Sequence, residues 1–118
     1  MGRLTTHALD TAHGCPAAGL AYTLYRLDAA GARQLLAHGH TNADGRADAP
    51  LLADAALIPG TYELEFAAGD YFAALGVALP TPRFLDLVTL RFGIADAAAH
   101  YHVPLLVSPW SYSTYRGS

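Results

Sequence analysis

A chain of 118 residues and 12.4 kDa has room for one compact domain, residues 1–118, and excludes a multidomain enzyme that carries its own cofactor module. With 53% hydrophobic and 14% charged residues it can build a core and is no disordered tail, yet it has too little charge to cover its whole outside, so an oligomer interface is expected. The net charge of −3, a pI near 6.0 and the lack of any basic run exclude a nucleic-acid partner.

In chain order, residues 4–9 predict a first strand and residues 20–27 a second, with Leu20, Tyr22, Leu24 and Arg26 on one face and Ala21, Thr23, Tyr25 and Leu27 on the other. Residues 33–41 follow as a strand after the turn at 28–31, and the Asn42 to Gly45 turn leads to a short strand near 47–52. After Pro59 and Gly60 comes the clearest half-buried strand, 61–66, in which Tyr62, Leu64 and Phe66 alternate with Thr61, Glu63 and Glu65; the first set faces the core and the second meets water. Residues 67–79 are the best helix candidate, with Tyr71, Leu75 and Ala78 on a shared face, and the Pro80 to Pro82 pair ends it. Residues 84–92 predict a strand, 95–99 a loop or turn, and 101–107 and 111–116 the last two strands. About eight short strands at this spacing indicate a mostly β protein, a sandwich. The 101–110 run is apolar at both parities, Val103, Leu105 and Val107 against Pro104 and Leu106 with His102, as expected of a strand facing a core on one side and another subunit on the other. Its proline marks an edge, a bulge or a special backbone position.

All seven basic residues are arginine, which excludes a lysine Schiff base or lysine nucleophile. The single Cys15, between Gly14 and Pro16, excludes an internal disulfide framework and fits a reducing, cytoplasmic setting. No apolar leader follows Met1 and no window reaches membrane-span length, so no membrane association is expected. Six histidines, besides the carboxylates, are the groups able to exchange protons near pH 7. His38 with His40, and His100 with His102, share a face by their spacing and in principle hold a metal, but two ligands do not make a site and no metal is expected. His13, His38, His40 and His100 read as turn or surface histidines. His7 and His102 sit in apolar or threonine-bearing strands where the ring must find a partner; on the residues alone, each reads as a satisfied core histidine before it reads as catalytic. Arg46 alone reads as a solvated hairpin residue, and residues 113–118 as either a frayed end or a tail held down by its aromatic step. Without a serine or cysteine nucleophile motif, any hydrolysis must use activated water.

Four blocks, LTTHALDTAHGCPAAGL (4–20), TNADGR (41–46), GTYELEF (60–66) and YHVPLLVSPWSYSTYRGS (101–118), resemble the transthyretin family and, within it, the enzymatic branch that hydrolyses 5-hydroxyisourate. The resemblance covers nearly the whole chain in order; residues 53–57 and 73–82 are less typical. It implies an eight-stranded, two-sheet sandwich with one short helix, assembled as a homotetramer with its sites in a channel at the dimer-dimer interface. Carried over by motif, His7, Arg46, His102 and Ser118 are the implied catalytic residues, while Arg46, Tyr115, Arg116, Gly117 and Ser118 are the implied substrate-binding ones. The histidines would activate water and move protons, Arg46 would bind substrate, and Ser118 with the tail would orient it, with no metal or organic cofactor. The implied reaction, a step in urate breakdown, adds water to a ring carbonyl and breaks a carbon–nitrogen bond. The alternative from the same family is a carrier of a small ligand, but such carriers have Lys at the position of His7, Thr at that of His102, and lack the YRGS end.

Overall fold

In the computed structural model, which describes residues 1–117, the chain forms β1 (Arg3–Thr5), β2 (Ala8–Asp10), β3 (Cys15–Pro16), β4 (Ala21–Leu27), β5 (Arg33–His40), β6 (Leu52–Ala53), β7 (Gly60–Ala67), α1 (Ala68–Ala74), β8 (Leu87–Ile94), β9 (His100–His102), β10 (Leu105–Val107) and β11 (Tyr112–Thr114). One sheet is antiparallel, in the order β5-β4-β7-β8. The facing layer is two short ladders end to end, β6-β1-β9 and β11-β10-β2-β3. They are joined because β1 continues into β2 and β9 into β10, and both halves pair in parallel at the same offset of 97 residues.

The expected strands 4–9 and 101–107 are therefore each broken in two, and the break has a physical cause. Val103 O accepts the Thr6 hydroxyl at 2.8 Å in place of a backbone N–H, so one rung of the parallel ladder is missing. The neighbouring rungs hold, with Val103 N–H donating to Thr5 O and Leu105 N–H to His7 O, both at 2.9 Å. Counting each broken strand once, the eight expected strands are present among the described residues, and β3 adds a two-residue ninth.

Between the layers lie Leu4, Leu20, Leu24, Tyr62, Leu64, Phe66, Val88, Ile94, Leu105 and Val107, all close to fully buried. Each contributes about 1.5–3 kcal/mol relative to an exposed position. The outward face of β7 differs from expectation. Glu63 is only 7% exposed, because Arg33 from β5 and Arg91 from β8 fold over it, at 3.3 and 2.8 Å. Only part of that face meets water.

The helix is shorter than residues 67–79. It ends at Ala74, and Gly76 turns the chain away at φ +84°. Its buried side is Ala68, Gly69, Tyr71 and Phe72, whereas Leu75 is 54% exposed and does not share the Tyr71 face. A polar tether fastens this helix to the other layer. The Tyr71 hydroxyl donates to Asp10 Oδ2 at 2.8 Å, and the same buried carboxylate accepts from His13 Nδ1 at 2.6 Å and from the backbone N–H groups of Ala12 and His13. β8 begins at Leu87 rather than at residue 84, since Asp86 is engaged with Arg83 and accepts Gly69 N–H on its carbonyl. β11 keeps only the middle of its expected range, β6 overlaps its own at Leu52 alone and runs on to Ala53, and residues 95–99 form a turn. No helix among the described residues is long and apolar enough to cross a membrane.

Candidate active site

The site is built on the outward face of the parallel pair. Register sets Thr5 directly opposite His102 and Arg3 opposite His100, so alternation carries Arg3, Thr5 and His7 along one strand beside His100 and His102 on its neighbour. The Thr5 hydroxyl lies 2.8 Å from His102 Nδ1. His7 falls in the gap between β1 and β2, where it forms an isolated antiparallel bridge with Arg46.

Turn chemistry delivers Arg46. The Asn42 side-chain oxygen accepts the N–H groups of Asp44 and Arg46 at 2.9 and 3.1 Å, while Asn42 N–H donates to Arg46 O at 2.8 Å. Gly45, at φ +75°, brings its carbonyl to Ala8 N–H at 2.8 Å. A side chain at Gly45 would put its Cβ 2.3 Å from Ala8 O, so only glycine lets the turn press on the strand here. That close approach seats Arg46 beside His7.

The tail comes from the opposite side. After β11 it crosses to His102, where Gly117 N–H donates to His102 O at 2.7 Å and the two residues form a bridge. A Cβ at Gly117 would stand 2.8 Å from His102 Cδ2, so the backbone lies flat against the imidazole. The Arg116 guanidinium sits 4.2 Å above the Tyr101 ring and donates to His100 O at 3.3 Å. Tyr115 is exposed beside it. The tail is thus held down through Gly117, and Ser118 lies outside the described residues.

Charge is distributed unevenly. Arg33, Arg83 and Arg91 are each bound to carboxylates, and Arg26 to Gln34. Arg3, Arg46 and Arg116 have no carboxylate partner among the described residues, and all three surround the histidines. Arg3 instead donates from Nε to His100 Nε2. Half-burial, and then the positive charge of Arg46, His7 and His100, push the His102 pKa below its ordinary 6.5 and keep the ring neutral near pH 7. Two clefts open on this face: one of about 230 Å³ with Arg3, Thr5 and Arg46 in its wall, and one of about 600 Å³ with His100, Arg116 and Gly117.

The structure thus brings together His7, Arg46, His102, Arg116 and Gly117, with Tyr115 at the margin. It adds His100, which reads as a surface residue on sequence grounds, and Thr5, to which no sequence feature points. The two-residue spacing of His100 and His102 carried the signal for the first; nothing short of the cross-strand register could reveal the second. Among the described residues no three histidine, cysteine or carboxylate side chains are grouped as metal ligands. A neutral imidazole amid cationic donors suits proton transfer on an oxygen-rich, electron-rich ring that gains negative charge as it reacts.

A family model described as the HIUase/Transthyretin family matches residues 4–117. The chain is 65% identical to the 5-hydroxyisourate hydrolase of Ralstonia nicotianae over the full length of both. Among solved structures, that of Klebsiella pneumoniae 5-hydroxyisourate hydrolase superposes with a TM-score of 0.82 at 36% identity, each chain being covered completely. That of (S)-allantoin synthase superposes with a TM-score of 0.93 at 48% identity; the match takes in 99% of this chain and spans 44% of that one.

Proposed function

The chain belongs to the HIUase/Transthyretin family, and on that premise we propose how it works: it hydrolyses 5-hydroxyisourate, in purine catabolism, at the outward-face cluster of His7, Arg46 and His102, closed by the Tyr115 to Ser118 tail. The observation that carries this site is the gathering of Arg3, Arg46 and Arg116, none with a carboxylate partner among the described residues, around the His100–His102 strand, with Arg46 acting on a neutral, half-buried His102.

The chemistry follows from those groups. Arg46 offers planar donors to the ring oxygens and fixes the substrate against the histidines. A neutral imidazole takes a proton from water as the water oxygen bonds to the ring carbonyl carbon. The tetrahedral oxyanion that results lies among cationic donors, which stabilise the developing charge. Its collapse breaks the carbon–nitrogen bond, the nitrogen leaves with a proton returned by imidazolium, and a carboxylate remains. His7 and His102 share the proton traffic. Tyr115, Arg116, Gly117 and Ser118 orient the ring, and no metal or organic cofactor enters the scheme.

The same reading extends to assembly. The active form is a homotetramer whose sites face a channel between dimers. Supporting this are Phe84, Leu87, Trp110 and Tyr112, all large and exposed on the single chain, with the Phe84 and Trp110 rings 6.2 Å apart. We also take residues 1–118 to act as one domain and to work in the cytoplasm, in keeping with the single, exposed Cys15. A carrier would need neither histidine nor a tail packed on one of them.

Ultraviolet absorbance of freshly generated 5-hydroxyisourate, followed with and without protein, tests the proposal. Decay accelerated by the wild type and restored to the spontaneous rate in His102→Asn is the expected result. Undiminished turnover in that variant would remove His102 from the mechanism.

A further inference from the structure

We infer that Thr5 is a positioning residue, whose hydroxyl accepts a hydrogen bond from His102 Nδ1–H and so presents a bare Nε2 to water and substrate. The inference rests on the hydrolase reading above and concerns the atom through which His102 acts.

The imidazole is held on two sides. On one, Thr5 Oγ1 is 2.8 Å from Nδ1, set there by the parallel pairing of β1 with β9. On the other, the Gly117 backbone packs against Cδ2 and Cγ, where an added Cβ would stand at 2.8 and 3.3 Å. Those contacts account for Nδ1, Cγ and Cδ2, leaving the Cε1–Nε2 edge open. Nε2 has no hydrogen-bond partner among the described residues, so it is the nitrogen free to act.

A threonine hydroxyl can donate or accept, so the neighbours decide the direction. If Thr5 donated to Nδ1, the ring proton would lie on Nε2 and the open edge would carry an N–H. Arginine can only donate, so the neighbouring Arg46, whose charge helps to lower the pKa of this ring, is complementary to a lone pair on the open edge and not to a second N–H. Nδ1–H donating to Thr5 meets that demand. It also separates this site from an acid-paired histidine. A carboxylate at Nδ1 would stabilise imidazolium and raise its basicity, whereas a hydroxyl fixes ring plane and tautomer without holding the proton on. Thr6 does not compete, because its hydroxyl faces inward and donates to Val103 O at 2.8 Å.

The experiment uses the full-length assembled protein and two substitutions. Thr5→Val keeps the β-branched shape and removes the hydroxyl, while Thr5→Ser keeps the hydroxyl. ¹⁵N NMR of histidine-labelled protein, with His102 assigned by comparison with His102→Asn, reads the tautomer; steady-state kinetics on 5-hydroxyisourate read kcat and KM. The expected result is Nδ1–H in the wild type, a mixture of tautomers in Thr5→Val, kcat lower by about ten- to a hundredfold with little change in KM, and recovery of both in Thr5→Ser. A wild-type His102 protonated on Nε2 overturns the assignment, and that spectrum decides it even if Thr5→Val does not fold. An unchanged tautomer and kcat in a folded Thr5→Val overturns it equally. Failure of the hydrolase reading is a separate outcome, seen as wild-type protein that does not consume 5-hydroxyisourate, and the tautomer spectra still report on Thr5.

Discussion

His102 gathers most of what single residues contribute to this site. Its pKa lies below 6.5 through half-burial and neighbouring cations, so the neutral, proton-accepting form persists to a lower pH than in an exposed histidine. The acid limb of a kcat/KM profile should accordingly fall below the usual histidine midpoint. Arg46→Gln removes a cation, makes protonation of His102 easier and should shift that limb to higher pH, besides weakening substrate binding. A profile flat from about pH 5 to 8 would show that no histidine titrates in the rate-determining chemistry. His7→Asn and His102→Asn should each lower the rate by roughly 10²–10⁴-fold while leaving thermal unfolding close to wild type. Gly117→Ala gives a sharper test of the tail. The new methyl group meets His102 Cδ2 at 2.8 Å and must push either ring or tail aside, so kcat should fall with no loss of core packing.

At the scale of elements, two buried polar contacts decide whether the layers and turns stay where the site needs them. Burial pushes the Asp10 carboxyl up, but the hydrogen bonds from His13 and Tyr71 outweigh it and hold its pKa below 3.8. A carboxyl depressed on folding contributes stability that is present above its unfolded value and is lost as pH falls through its folded one. Tyr71→Phe should therefore cost about 1–3 kcal/mol near neutrality and flatten the acid side of the stability curve, as read by urea melts at pH 7 and pH 3. The elements also mark where sequence pattern stops being informative. Alternation exposed β4 and β7 fully, since Tyr62, Leu64 and Phe66 can be buried only by a strand. It could not show the break after Thr5, because that break comes with the Thr6 hydroxyl bonding Val103 O, a residue 97 positions away that lies alongside only after folding. Helix propensity overran at Leu75 for a similar reason: alanine-rich sequence favours helix beyond Ala74, but no apolar surface waits for Leu75 and Gly76 turns the chain. The motif blocks pointed to His7, Arg46, His102 and the tail as the proposed site, because each is a chemical group at a fixed place in a block. Thr5 and Asp10 carry no such mark, because a lone threonine or aspartate acquires its role from its partner.

Viewed as a whole, the single chain is short of polar cover. The exposed apolar side chains concentrate around the β8 and β11 ends, with Phe84 against Trp110 and with Leu87 and Tyr112 also exposed, while half-buried Leu9 and Leu106 pair on the outward face beyond the histidines. Both β8 and β11 are outermost strands, so each still has a row of unpaired backbone groups to offer. Water is a poor partner for that combination, and a second copy of the chain supplies both apolar area and strand edges at once. Light scattering should report about four chains per particle, the number implied by a channel between two dimers. Trp110→Asp introduces a charge into the proposed contact at a side chain now 57% exposed, so it should leave the monomer fold intact and weaken assembly. If the site is completed by facing copies, the specific activity of this variant should fall with dilution in step with the loss of large particles. Full activity in a particle of one chain would show that His7, Arg46, His102 and the tail suffice within a single protomer.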